Sequence, residues 1–337
     1  MALRMIEMVL PEDIGQYAHE YLGDQDGLPI LGLWSQPLLS GEVLVKVLLD
    51  AEQAEAVLDI LASNYGSIEG FKAVLLPVEA SLPRPETAQE VSAVADQLEE
   101  RRPQRISREE LYVDIVDATR LSKVYVAMVI LSAIVATIGV LRDNLAVVIG
   151  AMVIAPLLGP NVALSLATTL GDGDLARAAL KASTVGIGLA LALSFGVGLI
   201  LDVDPNIHEI ASRTKVGLSD IVLALAAGGA GALAFTSGVP SALVGVMVAV
   251  ALLPPLVTLG LLLGSNFLQL AGGALLLFLT NFIAINLAGV ICFLLQGVSP
   301  QNWWEADKAR KAVRKAIILW FALLFALVAV IVLSRGS

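Results

Sequence analysis

The 337-residue chain is 57% hydrophobic and carries a formal charge of −10. A soluble domain of this size could not bury so much apolar surface, which places the chain among membrane proteins. The acid is concentrated in residues 1–120, with 22 Asp/Glu against 9 Lys/Arg, whereas residues 121–337 hold 9 against 12; a balance of −13 argues against nucleic acid or anionic lipid as a partner of the N-terminal part.

Residues 1–80 read as a small α/β domain. Ile6, Met8 and Leu10 alternate as in a strand, and Ile14, Tyr17, Ala18, Tyr21 and Leu22 follow helical spacing after Glu12 and Asp13. Pro29–Ser35 and Glu42–Leu49 are strand candidates joined by the turn-like PLLSG, Val57 to Tyr65 marks a second helix, and Phe71–Val78 closes the series. The order βαββαβ is that of the ferredoxin-like plait. MALRMIEMVLP has no long apolar core and no small-residue cleavage site, so it does not read as a signal peptide. Residues 81–120 form a helical linker: a charged helix is expected over Thr87–Arg101, and Ser107 with Glu110 resembles a capping box for a helix running on into the membrane.

From Leu121 onward, seven apolar segments are each near the length of a span: 121–141, 145–170, 178–201, 219–237, 239–264, 268–297 and 317–334. The second, LAVVIGAMVIAPLLGPNVALSLATTL, carries Pro156, Gly159 and Pro160 at its centre. Proline removes a backbone donor and clashes with the preceding turn, so this helix is expected to break there. The pattern recurs 95 residues later with Pro254 and Pro255; a gapless slide sets Gly150 on Gly245, Met152 on Met247, Leu157-Leu158 on Leu252-Leu253 and Pro160 on Pro255. Three segments per half make the halves enter from opposite faces, giving two inverted repeats at 121–201 and 218–297 around an extracytoplasmic loop at 202–217.

Charge agrees with a cytoplasmic N-terminal domain. Arg177, Lys181 and the cluster Lys308, Arg310, Lys311, Arg314 and Lys315 then fall inside, with Arg142, Arg213, Lys215 and Arg335 outside. In the competing topology 145–170 and 239–264 are re-entrant hairpins. Full crossing is preferred, because 26 residues suffice for one span and are short for two half-helices and a turn. Residues 298–337 then form a basic amphipathic helix and the final span, with Trp303, Trp304, Lys308, Lys311 and Lys315 at the lipid interface.

Ile149-Gly150-Ala151-Met152, Ala155-Pro156-Leu157, Gly159-Pro160, the Gly171-Asp172 turn before Arg177 and Lys181, and the later Thr280-Asn281 together resemble the signature of domain-of-unknown-function family number 389, uncharacterised hydrophobic-domain proteins of prokaryotic membranes. The resemblance implies an integral membrane protein and assigns no activity.

Catalytic patterns are missing: there is no nucleophile elbow, no HExxH and no Cys/His cluster, and Cys292 is the sole cysteine. No cofactor, metal or enzymatic role is expected. A transporter or channel for a small solute or ion fits better. Broken helices offer N–H groups after Pro160 and Pro255 and carbonyls before Pro156 and Pro254. The candidate path is Pro156, Gly159, Pro160, Asn161, Pro254, Pro255, Thr258 and Asn281, with Asn161 favoured because it directly follows the Gly159-Pro160 break. Ser165, Thr168, Thr169, Ser194 and Asn286 are further polar residues near the breaks and on facing spans, where bonding a neighbouring helix is the more common role of a single Ser or Thr. Gly-rich runs in the third and fourth segments fit close helix packing or a homo-oligomer interface. The alternative is a membrane-anchored sensor or scaffold whose cytosolic domain binds a ligand or partner.

Overall fold

The computed structural model describes residues 3–23, 30–68, 71–78, 107–237, 241–298 and 306–336, which fall into two compact units, Met1–Tyr112 and Val113–Ser337.

In the first unit, alternating apolar residues build four strands: β1 (Leu3–Pro11), β2 (Ile30–Pro37), β3 (Glu42–Asp50) and β4 (Lys72–Val78). They pair in the order β2-β3-β1-β4, every pair antiparallel. Helices α1 (Glu12–Gly23) and α2 (Ala54–Tyr65) connect β1 to β2 and β3 to β4. Ile6, Met8 and Leu10 of β1 and Val43, Val45, Val47 and Leu49 of β3 all face one core, closed by Ala18, Leu22, Val57 and Leu61 from the helices. One face of the sheet is thereby buried, as the period of two requires.

α3 (Arg108–Asp117) begins where the sequence places its cap, with Glu110 N donating to Ser107 Oγ at 3.2 Å. Its first turn is fastened within this unit. Arg4 donates to both carboxylate oxygens of Glu110 at 2.9 and 2.7 Å, and Arg108 pairs with Asp59 and Glu109. Burial of Arg108 opposes its charge, but the Glu109 hydrogen bond and the Glu109, Asp59 and Glu55 charges outweigh it and raise the guanidinium pKa. The helix does not run on as expected: it stops at Asp117, and a new one starts at Lys123, capped by Ser122, whose hydroxyl accepts from Tyr125 N. Thr87–Arg101 lies outside the described residues.

The second unit is built from α4 (Lys123–Leu141), α5 (Leu145–Ile154), α6 (Leu158–Leu170), α7 (Gly173–Ile200), the single turn α8 (His208–Ala211), α9 (Leu218–Thr236), α10 (Ser241–Gly264), α11 (Leu268–Leu295) and α12 (Ala306–Gly336). Among the described residues, five helices are long and apolar enough to cross a membrane, six when the bent pair α5–α6 counts as one span. Such a set of helices is compatible with a polytopic membrane protein. The basic segment and the last apolar segment share one continuous helix, α12. Good helix formers and no glycine or proline join them over Ala306–Leu333.

Helix boundaries repeat. α9 starts 95 residues after α4 and has the same 19 residues, and α11 starts 95 after α7 with the same 28. The left-handed residues that turn the chain before α7 and α11, Gly171 (φ 69°) and Asn266 (φ 64°), keep that interval. α4 meets α7, and α9 meets α11, at one spacing. Tyr125 Oη donates to Ala182 O, 57 residues on, and Gly228 lies against the backbone of Ile285, also 57 on.

Candidate functional site

The chain leaves the helix at Ala155 (φ −68°, ψ 119°), the residue before Pro156, where the proline ring disfavours helical geometry. It re-enters at Leu158, turned by 55°. Pro156 has no N–H for Met152 O, so the break sits where the sequence places it. Pro160 falls in the first turn of α6, a position proline tolerates. Pro160 brings no N–H, so the N–H groups of α6 that have no acceptor within the helix precede it, at Leu157, Leu158 and Gly159.

The second expected break does not occur. α10 runs unbroken through Pro254 and Pro255. Pro255 cannot donate to Ala251 O, but Asn281 Nδ2 of α11 does so at 2.7 Å. A neighbouring helix thus satisfies the freed carbonyl, which is how proline is accommodated inside a span. No exposed N–H groups follow Pro255.

Asn161 does not stand open to a solute. It is 3% exposed, its Nδ2 donates to Leu157 O at 2.7 Å, and its Oδ1 accepts from Asn286 Nδ2 at 3.0 Å. Asn286 also donates to Phe282 O, and Ser165 Oγ reaches Asn161 O and Asn286 O at 3.1 Å each. Thr168, Thr169 and Ser194 donate to carbonyls four residues back. The polar side chains of the spans are thus largely spent on helix contacts.

These contacts give directions. Asn161 meets Asn286 and, a turn later, Ser165 meets Gly289, so α6 and α11 run parallel. Ser194 meets Gly260 and Gly198 meets Gly264, so α7 and α10 run parallel. Leu157 opposes Gly186 across the two-residue turn after α6, so α6 and α7 are antiparallel.

A cavity of about 10 Å³, room for about one water, adjoins the break and is lined by Leu157, Pro160, Asn161, Ser183, Ile187, Leu252, Phe278 and Phe282. Six of these eight form three pairs 95 residues apart: Leu157 with Leu252, Ser183 with Phe278, and Ile187 with Phe282. Residues 95 apart in the chain meet around one hollow. Of the expected path residues, only Pro160 and Asn161 line it. Gly159 packs on Ala118, Pro156 is half-buried at the bend, and Pro254, Pro255, Thr258 and Asn281 are buried elsewhere.

Sequence reasoning missed Ser183, Ile187, Phe278 and Phe282. The 95-residue slide pairs them, but the paired residues differ in kind, so identity gave no signal. At the expected lipid interface, Lys315 is exposed; Trp303 and Trp304 lie outside the described residues, as do the side chains of Lys308 and Lys311. No cluster of three or more metal-ligating groups occurs among the described residues.

The family described as "Domain of unknown function (DUF389)" matches residues 152–287. A relative in Methanocaldococcus jannaschii, named Uncharacterized protein MJ0678, is 36% identical over 333 residues, covering 98% of this chain and 99% of its own. No solved structure matches.

Proposed function

The chain belongs to the DUF389 family, and on that premise we propose that it is a transporter or channel passing a small solute or ion between two inverted halves. The family description carries no activity, so the reading rests on geometry. The observation that carries it is the cavity at the α5–α6 break, lined by three pairs of repeat-related residues. A hollow where two equivalent halves meet beside an interrupted helix is where transporters of this plan hold their cargo.

Helix direction supports the inverted arrangement. α6 runs against α7 and along α11, so α7 and its counterpart α11 run oppositely. In this reading seven spans cross the cell membrane, and the N-terminal domain is cytoplasmic and ferredoxin-like. The halves assemble without catalysis, cofactor or nucleic acid, in contact with lipid and with further copies of the chain. Support for the ferredoxin-like assignment comes from the strand order β2-β3-β1-β4 and its two helical connections.

The test is flux. The purified full chain in liposomes is expected to pass small ions or solutes above the protein-free leak, and Ile187→Trp, which fills the cavity, is expected to reduce that flux at least tenfold while the protein stays monodisperse. Absence of flux for every small solute tried would overturn the proposal in favour of a membrane-anchored sensor or scaffold.

A further inference from the structure

The central strands of the N-terminal unit are apolar on both parities. β1 reads LRMIEMVLP and β3 reads EVLVKVLLD, and apolar residues at odd and even positions alike are the pattern of a sheet covered on both faces. Helices α1 and α2 close one face, over Ile6, Met8 and Leu10. Strand register fixes what the other face presents. Trp34, Lys46, Glu7 and Val74 lie in one row across it. On one side of that row Val9 pairs with Leu44, and on the other Met5 pairs with Leu76.

These apolar side chains have no share in the core under the helices. Trp34 and Val74 are each 50% exposed and Leu76 39%. A Cβ at Gly32 would run into the Trp34 ring, so the indole lies over Gly32 along the face. Tryptophan is among the residue types that most often anchor a protein interface. Four strands about 4.8 Å apart and about seven residues long make a face of roughly 20 by 24 Å, toward the upper end of the patches, about 300–600 Å², that monomeric proteins leave open.

We infer that this sheet face docks on the same face of a second copy of the chain. The inference rests on the self-association named above and not on transport. Charge argues for a copy. Lys46 Nζ donates to Glu7 Oε1 at 2.6 Å, in the middle of the face. A two-fold axis running along the strands between β1 and β3 exchanges the two, so that each Glu7 comes opposite the second copy's Lys46. The face is thus self-complementary, as an isologous contact requires. An anionic lipid surface offers no such match to a unit with 22 acids against 9 bases in residues 1–120. Area sets the strength. Free proteins that associate stably bury about 800 Å² per partner, more than this face supplies. The contact is therefore weak between dissolved domains and firm between copies held in one bilayer, where effective concentration is high.

The test is cross-linking of the full chain in its native membrane, with Cys292→Ala removing the natural thiol. Leu44→Cys, beside the axis, is expected to be joined into a dimer by a short bis-maleimide, and Glu20→Cys, on α1 behind the sheet, is not. Adding Trp34→Glu to Leu44→Cys is expected to lower the yield about tenfold, the scale of losing one aromatic anchor, with the thermal midpoint of the purified chain unchanged. Glu7→Lys and Lys46→Glu, each in the Leu44→Cys chain, are expected to lose the cross-link when expressed alone and to regain it when expressed together, because the axis then sets Lys against Glu at every site. A folding defect would not be mended by a second variant chain. A chain that is oligomeric in detergent yet gives no Leu44→Cys dimer would overturn this surface and leave self-association standing. A chain monomeric by both measures would overturn both. Leu44→Cys shielded from a monofunctional maleimide without any dimer would assign the face to another part of its own chain or to lipid, and would overturn the inference as well.

Discussion

Asn281 donates its side-chain amide to the carbonyl of Ala251 at 2.7 Å, the acceptor that Pro255 leaves without its usual partner. Two adjacent prolines would ordinarily end a helix, yet α10 passes through them because a donor from α11 replaces one of the missing bonds. In the first half Pro160 stands at the position of Pro255 and lies in the first turn of α6, but Pro156 stands where the second segment has Ala251, and there the span is broken.

This relationship is testable by exchange. Asn281→Leu leaves Ala251 O unsatisfied and is expected to destabilise the protein by about 1 kcal/mol, within the range for interhelical hydrogen bonds in membranes. Pro255→Ala restores an N–H four residues after Ala251, so the double variant is expected to lose less than the sum of the single ones. Thermal unfolding of all four forms in detergent closes the cycle; strict additivity would show that the amide and the proline do not communicate.

Asn161 and Asn286 clamp α6 to α11. Asn161→Leu or Asn286→Leu strands a buried partner and is expected to cost about 1–3 kcal/mol. Replacing both by leucine removes the stranded group, so the pair is expected to recover part of that loss. The same unfolding measurement reads it.

Two Ser–Gly contacts between helices use positions 95 residues apart. Ser165 packs on Gly289, and at the positions 95 residues after the first and 95 before the second, Gly260 packs on Ser194. A Cβ at Gly260 would overlap the Ser194 side chain, so Gly260→Ser is expected to destabilise by about 1–3 kcal/mol through overpacking. Adding Ser194→Gly recreates the arrangement of the other half and is expected to restore most of the lost stability. Failure of the exchange would mean that the two contacts are not equivalent.

Membrane sidedness can be read at Gly173, where a side chain would meet open space. With Cys292→Ala removing the native thiol, Gly173→Cys is expected to resist external maleimide in intact cells and to react after permeabilisation. Labelling from outside would favour re-entrant hairpins for α5–α6 and α10.

Ion pairing in the N-terminal unit makes a separate expectation. Arg4 is 8% exposed and holds both oxygens of Glu110, so Arg4→Met strands a largely buried carboxylate. The expected cost is about 2 kcal/mol, visible as a lower thermal midpoint, and Arg4→Lys is expected to recover only part because it cannot bind both oxygens at once.

The strands, the long apolar helices and the 95-residue interval follow from the sequence alone, because periodicity and length act locally and need no knowledge of neighbours. The break at Pro156 follows for the same reason: nothing within reach of its own turn can replace the missing N–H. The straightness of α10, the engagement of Asn161 and the unpartnered hydroxyl of Ser183 were decided by tertiary packing. Each depends on which side chain of another helix arrives opposite a given carbonyl or hydroxyl, and residues such as Asn281 and Ala251, 30 apart in the chain, come together only when the helices pack.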